Sequence, residues 1–258
     1  MISVIIPTHK NPAVLDLCLK SAISGQERIN DILVVVDGTY EVNKKILEKY
    51  SRYINLIIFE SNQGMCKAQN VGVSQAKYSN ILIVNDDNLF PQQWDSILSS
   101  FDISNSVIAP NQIEPYQSIF KGYHIKDLGR NPENFDLDNY WSYEQTIRKN
   151  LIEDTGRSYP IYIDKYNYLQ CGGFDIEYPT SSGTVADCDF FLKCELRGLK
   201  MLRIYHCMFY HFVSTTRKTT EAIIKNQQIE NQCKIFFKNK WGQLPQFDFT
   251  NNSRLLTK

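Results

Sequence analysis

Apolar residues in the first hundred positions fall into short, nearly continuous runs. Ser3 to Ile6 is one, stopped by Pro7; Ile32 to Val36, Ile54 to Phe59 and Ile81 to Val84 follow. Runs of this length predict strands buried on both faces, as in a parallel sheet. Between them, Val14, Leu17, Cys18 and Ala22 form one stripe, Val42, Ile46 and Leu47 a second, and Met65, Ala68, Val71 and Ala76 a third. That spacing predicts an amphipathic helix after each strand. Asn11 is placed to cap the first helix, Pro12 to open it and Gly25 to end it. Trp94, Ile97, Leu98 and Phe101 predict a fourth helix. Strand–helix alternation of this kind predicts an α/β fold, a sheet with helices on both faces.

From Val107 the rhythm changes. Val107 to Ala109 predicts a strand. Residues 111–150 are rich in Asn, Asp, Tyr and Pro with weak periodicity, and are expected to be functional loops with short elements. Tyr162 to Leu169 predicts a strand–helix unit closing at Cys171-Gly172-Gly173. Asp187 to Arg197 predicts a helix ended by Gly198. Met201 to Ile204 and Cys207 to Phe212 predict two short strands. Thr219 is a candidate cap for a last helix with Ile223, Ile229, Cys233, Phe236 and Phe237 inward and the tail packed back through Trp241 and Leu244. One domain over 1–258 is expected, with a regular α/β half (1–106) and an irregular half (107–258).

Polar residues at the strand ends carry the candidate chemistry. Ile81-Leu-Ile-Val84 runs directly into Asn85-Asp86-Asp87-Asn88. Ligands of open α/β sheets bind at the carboxyl ends of the strands. Two carboxylates flanked by two amides offer hard oxygen atoms, which suit Mg²⁺ or Mn²⁺ shared with phosphate oxygens. Taken alone, the segment also reads as a polar turn. Asp37 ends an earlier strand and can converge on the same edge. Dinucleotide Gly-x-Gly-x-x-Gly and P-loop patterns are both absent, which leaves a metal ion as the candidate device for holding phosphate.

Composition narrows the partners. Lys plus Arg and Asp plus Glu number 28 each, so the formal net charge is zero, which argues against nucleic-acid binding through a broad basic surface. The seven cysteines contain no Cys-x-x-Cys pair and fit a reducing compartment better than a disulfide framework or a zinc site. The N-terminus lacks the basic and apolar regions of a signal peptide, and no apolar run approaches the roughly 18 residues of a membrane span. A cytoplasmic protein is expected.

Several segments in order resemble glycosyltransferase family 2, with its GT-A (Rossmann-like) fold. Ser3-Val-Ile-Ile-Pro-Thr8 resembles the opening strand, and Val34-Val-Val-Asp-Gly-Thr39 the Val-Val-Asp-Asp-Gly-Ser segment. Asn62-x-Gly64 and Asn70-x-Gly72 resemble the helix entry before the metal motif. Asn85-Asp86-Asp87 falls at Asp-x-Asp, Gly172-Gly-Phe-Asp175 at the acceptor-side motif, and Ala186-Asp-Cys-Asp-Phe190 at Glu-Asp-x-Asp-Phe. Lys240-Trp241-Gly242 also recurs in relatives.

The resemblance implies an enzyme using a nucleotide-diphosphate sugar donor and a carbohydrate or glycoconjugate acceptor. Pro7, Thr8, Asp37, Asn62, Asn85 and Asp86 would belong to the donor site. Asp87 would hold the divalent metal, Mn²⁺ or Mg²⁺, that neutralises the leaving diphosphate. Asp187 would be the general base of a single displacement that inverts the anomeric centre; Asp189 is the reserve. His211 falls where relatives carry a His that completes the metal shell or touches the diphosphate; the alternative is a His packed among aromatics. His9 and His206 are assigned structural roles. Lys67 and Arg217 are candidate phosphate contacts, with a solvated role as the alternative. Trp141, Tyr143, Tyr116, Tyr123 and Tyr178 are candidates for an acceptor-stacking platform, with core packing as the alternative.

Three positions depart from the family pattern: Val36, Asn85 and Ala186 each stand where relatives carry a carboxylate. Two rival readings follow. One is a catalytically degenerate glycan-binding protein, which the losses favour and the retained Asp37, Asp87 and Asp187 oppose. The other is a sugar nucleotidyltransferase, which would want a Gly-rich basic loop where Pro7-Thr-His-Lys-Asn11 stands.

Overall fold

The computed structural model describes residues 1–116, 122–179, 184–212 and 220–245, with 184 and 220–226 described by backbone alone. The first half follows the apolar pattern. Strands β1 (Ser3–Thr8), β2 (Asp31–Asp37), β3 (Ile54–Phe59) and β4 (Asn80–Ile83) alternate with helices α1 (Pro12–Gly25), α2 (Tyr40–Lys49) and α3 (Met65–Gln75). A two-residue β5 (Asn88–Leu89) and helix α4 (Trp94–Ser99) come next. All six residues of β1 and all seven of β2 are buried, as near-continuous apolar runs require.

The second half adds β6 (Ser106–Glu114), β7 (His124–Ile125), α5 (Leu137–Ile147), β8 (Ile152–Glu153), β9 (Ile161–Asp164), α6 (Lys165–Gln170), α7 (Thr184–Leu196), β10 (Lys200–His211) and α8 (Thr220–Trp241). One sheet runs through both halves in the order β3-β2-β1-β4-β9-β6-β10-β5, with β7 beside β6 and β8 beside β10. β3, β2, β1 and β4 are mutually parallel. β9 runs antiparallel to both β4 and β6, so β6 points the same way as β4. β10 is parallel to β6.

Successive residues of β1 and β2 feed opposite layers. Val4, Ile6, Ile32, Val34 and Val36 pack against α1, α2 and α4; Ile5, Leu33 and Val35 face the layer that holds α3, α6, α7 and α8.

Several expectations change. β3 ends the sheet with Asn55, Leu56 and Ile58 exposed, rather than being buried on both faces, and Val42 of the second stripe is exposed. Residues 111–150 contain the regular helix α5. Its inward positions are Leu137, Tyr140, Trp141 and Glu144, a true helical stripe carried by two aromatics with polar atoms and a carboxylate, which an aliphatic pattern does not reveal. Met201 to Ile204 and Cys207 to Phe212 are not two strands but parts of β10, and the break between them is a register shift against β6 between Ile204 and Met208. Asn11 makes no side-chain cap on α1. Leu244 is exposed rather than packed. Thr219 lies outside the described residues.

Candidate active site

The sheet topology places the candidate residues. Thr8 ends β1, Asp37 ends β2, Asn85 to Asp87 follow β4, Glu114 ends β6 and His211 ends β10. These strands run in one direction, so their carboxyl ends share one edge, where open α/β sheets bind ligands.

Neighbouring Asp86 and Asp87 turn to different partners. Asp86 accepts a hydrogen bond from Thr8 Oγ1 at 2.7 Å, and the His9 backbone and the Asn11 side chain also favour its charge. Burial and the adjacent Asp87 charge push the Asp86 carboxyl up to about 7, against the pull of these donors. Asp87 turns toward β10. Asn88 pairs with His211 in the β5–β10 ladder, and the Phe212 N–H donates to the Asp87 carbonyl at 3.1 Å. This backbone pairing sets His211 Nε2 3.6 Å from Asp87 Oδ2.

His211 Nδ1 lies 3.0 Å from Glu114 Oε1. Burial alone would lower the imidazole pKa; Asp87 and Glu114 outweigh it and raise it to about 10. Glu114, buried at the end of β6, is a residue that sequence reasoning missed. Its signal was a lone carboxylate ending the long run Ser106-Val-Ile-Ala-Pro-Asn-Gln-Ile.

Asp37 is placed at the edge with both oxygens engaged. Oδ1 accepts from the Gln63 N–H at 2.6 Å and Oδ2 from the Gly64 N–H at 3.0 Å. The carboxylate thus shapes the loop that enters α3. Gly38 has a φ of +70°, and a Cβ there would lie 2.3 Å from the Asn62 backbone nitrogen, so glycine is required for this approach. Asn62 Oδ1 accepts from the Gly64 N–H at 3.1 Å, and its amide faces the His9 ring. His9 Nδ1 lies 2.7 Å from the Asp37 carbonyl. Lys67 Nζ donates to Gln63 Oε1 at 2.8 Å. Pro7 sits within β1 opposite Val35. Arg217 lies outside the described residues.

Asp187 lies in the first turn of α7. Burial lifts its carboxyl to about 8, an effect the nearby Tyr159 side chain partly offsets. Its Oδ1 is out of solvent and has no hydrogen-bond partner. Burial raises the Tyr123 phenol, and the Glu114 and Asp187 charges add to the rise.

Asp189 is different. It is fully buried. Its Oδ1 accepts from Trp241 Nε1 at 2.8 Å and lies 2.7 Å from Lys240 Nζ, and its Oδ2 lies 3.0 Å from Lys193 Nζ. These partners make Asp189 an anchor for α8. Lys240 also reaches Asp175 at 2.6 Å, and Lys193 Nζ donates to the Gly173 carbonyl at 2.6 Å. Asn70 closes the set from α3: its Nδ2 donates to the Phe174 carbonyl at 2.7 Å and its Oδ1 accepts from the Phe174 N–H at 2.9 Å.

The aromatic candidates divide. Trp141 is buried with Nε1 on the Phe90 carbonyl at 2.9 Å, and Tyr178 is buried against Phe236; both are core. Tyr143 holds His124 at 2.6 Å, Tyr123 lies under Arg203, and Tyr116 is exposed beside Arg130. His206 contacts Asn150 and the edge of Phe101.

A divalent cation fits the Asp87–His211 pair. Asp87 Oδ1 is out of solvent and has no hydrogen-bond partner, and the pair supplies one hard oxygen and, once a cation displaces the Nε2 proton, one imidazole nitrogen. Among the described residues no cluster of three or more His, Cys, Asp and Glu side chains forms a complete cage. Two protein ligands suit an ion that takes its remaining ligands from phosphates and water.

Residues 3–154 match the family profile described as Glycosyl transferase family 2, and the chain belongs to that family. It is 24% identical over 194 residues to an uncharacterized glycosyltransferase of Haemophilus influenzae, an alignment that covers 75% of this chain and 61% of that protein. Among solved structures, S. aureus TarS 1–349 in complex with UDP superposes with a TM-score of 0.59 at 16% identity, covering 100% of this chain and 75% of that one. The mannosyltransferase PcManGT from Pyrobaculum calidifontis, in complex with GDP-Man and Mn²⁺, gives a TM-score of 0.58 at 15% identity, covering 95% and 65%. At these identities the likeness is one of fold, the GT-A fold. No helix among the described residues is long and apolar enough to cross a membrane.

Proposed function

We propose that the protein is a metal-dependent, inverting glycosyltransferase that moves a sugar from a nucleotide-diphosphate donor to a hydroxyl of a carbohydrate or glycoconjugate. The observation that carries this reading is the state of Asp187. It is a desolvated carboxyl with a pKa of about 8 and one unpartnered oxygen, within a family whose donors meet the carboxyl edge of the sheet. A base poised near the working pH removes a proton most effectively during attack.

In this mechanism the loop shaped by Asp37, together with Pro7, Thr8 and Asn62, lines the base and ribose position. Asn85 offers its orphaned Oδ1 to a ribose hydroxyl. Asp86 braces the β1 loop. Asp87 and His211 would hold the cation, and Glu114 would fix the imidazole through its other nitrogen. A divalent ion bound there supplies neutralisation of charge on the departing diphosphate. Asp187 takes the proton from the acceptor hydroxyl as that oxygen bonds to the anomeric carbon. The bond from the anomeric carbon to the diphosphate oxygen breaks, and the diphosphate leaves with the electron pair. Attack opposite the leaving group inverts the centre. The single domain over 1–258 belongs to this reading, since strand-edge residues of both halves build the site.

The test is incubation with a panel of nucleotide sugars and simple glycosides, with Mn²⁺, Mg²⁺ or chelator, and NMR of the product anomer. Metal-dependent transfer with inverted configuration is expected. Retained configuration, or no nucleotide binding with metal present, overturns the proposal.

A further inference from the structure

The sheet ends differently on its two sides. On one side the last strand is β5, two residues long, and a short edge strand gives another chain little to pair with. On the other side stands β3, six residues long and paired among the described residues with β2 alone. Its sequence, Ile54-Asn-Leu-Ile-Ile-Phe59, contains no charge, no proline and no glycine. It therefore lacks the devices that usually keep an open edge from pairing. Ile54, Leu56 and Ile58 continue the rows of Ile32, Val34 and Val36 in β2, on the face that holds α1, α2 and α4. Ile54 is buried, but Leu56 is 37% and Ile58 48% exposed, and Tyr53 just before the strand is exposed too. The helix layer stops short of the edge and leaves an apolar row in solvent beside open backbone groups.

The residues around Leu56 show what this edge fits. When two copies of one strand pair antiparallel about a two-fold axis, one residue meets itself and the others meet at equal steps before and after it. An axis at Leu56 sets Ile54 opposite Ile58, Tyr53 opposite Phe59 and Arg52 opposite Glu60. Apolar then meets apolar, aromatic meets aromatic and cation meets anion, the pairs that stabilise neighbouring strands. An axis one residue earlier sets Ile58 opposite Arg52, and one residue later Ile54 opposite Glu60. Arg52 and Glu60 are exposed, and neither forms a salt bridge among the described residues.

We propose that β3 is a self-association surface, at which two copies of this chain join their sheets antiparallel about a two-fold axis at Leu56, with Arg52 of each copy facing Glu60 of the other. The join points the carboxyl edges of the two sheets in opposite directions, so the two candidate sites lie on opposite edges of the joined sheet. A ladder of this length is at the small end of specific interfaces, which corresponds to micromolar affinity. Because each copy has one such edge, association closes at the dimer.

The test is sedimentation of the full chain over roughly 1–500 µM. The wild type is expected to pass from monomer to dimer and no further. Leu56→Lys sets two ammonium groups opposite each other on the axis and should weaken association about tenfold or more. Its circular dichroism and its melting at low concentration should match the wild type, since the side chain it replaces is already exposed. Arg52→Glu and Glu60→Arg each set like charges opposite at two symmetric places, and each should weaken association about tenfold. An equimolar mixture of these two variants restores opposite charges at both places and should dimerise with wild-type strength. A wild type that stays monomeric or grows beyond the dimer overturns the proposal. So does a dimer that Leu56→Lys leaves intact, or a mixture that associates no better than its separate components. Should Leu56→Lys fail to fold, the mixture decides the question.

Discussion

At the scale of single residues, the proposed roles of Asp87 and Asp187 separate by experiment. Asp87 is one of two protein ligands for a cation and lies 3.6 Å from its partner His211. Asp87→Ala should remove metal-dependent nucleotide affinity, read by calorimetry with and without Mn²⁺, and turnover with it. Asp187 is placed for proton transfer. Asp187→Asn should leave nucleotide affinity within about twofold while lowering kcat by roughly 10²–10⁴, the usual worth of a general base. An Asp187→Asn enzyme with near-normal kcat would remove Asp187 from the chemistry.

Sequence legibility differed sharply among these residues. Asp87 stood out because it follows an unmistakable strand. Glu114 did not, because its significance comes from His211, 97 residues away, and no local pattern reports a contact of that range.

Between elements, the acceptor-side motifs act as one clamp. Gly173 has a φ of +59°, and a Cβ there would come within 2.6 Å of Asn70 Oδ1, which itself receives the Phe174 N–H. Helix α3 and the segment entering α7 are thereby pinned together. From the other side, Lys240 and Trp241 of α8 close on Asp189 and Asp175. Three motifs recognised separately in the sequence are therefore one interlocked structure. Asp189→Asn leaves Lys193 without its carboxylate partner and Lys240 with Asp175 alone, and breaking a buried pair costs about 3 kcal/mol or more. That should appear as a clear drop in denaturant midpoint. Proteolytic cleavage should begin within α8, because the anchors it loses are those that dock that helix. Equal protease resistance in wild type and variant would contradict the clamp.

At this scale the aliphatic elements were readable and the aromatic one was not. β1 to β4 and α1 to α3 declare themselves through Val, Ile, Leu and Ala at strand or helix spacing. α5 buries Tyr140, Trp141 and Glu144, whose polar atoms are satisfied only in the folded protein: Tyr140 donates to the Met208 carbonyl at 2.8 Å, and Glu144 accepts from the Met208 N–H at 2.9 Å. Without those partners the segment reads as a polar loop.

The molecule as a whole couples the site to stability in two ways, the first through protons. Asp187 is held near 8, above its unfolded value, so the folded protein binds this proton more tightly than the unfolded chain. Its stabilising contribution is full below the unfolded pKa of about 4 and is lost as pH rises through about 8. Asparagine mimics the protonated form. Asp187→Asn should therefore match the wild-type melting temperature near pH 5 and exceed it at pH 9. The reverse order at pH 9 would mean that the carboxylate is better solvated than its burial implies.

The second coupling is through ligand. Formal net charge is zero, so no bulk field draws in a diphosphate; attraction must be local, and the cation site of Asp87 and His211 is the local source. Nucleotide and metal should therefore stabilise the protein together far more than separately. At a ligand concentration of about 100 times Kd, linkage adds about 2.7 kcal/mol. A chain of this size shifts by roughly 2–4 °C per kcal/mol, so a rise of about 5–10 °C is expected with a nucleoside diphosphate plus Mn²⁺. Either component alone should give a small fraction of that, and Asp87→Ala should abolish the joint effect. A full shift with nucleotide in the presence of chelator would show that the protein holds the diphosphate by direct contacts, and would remove the metal from the donor site.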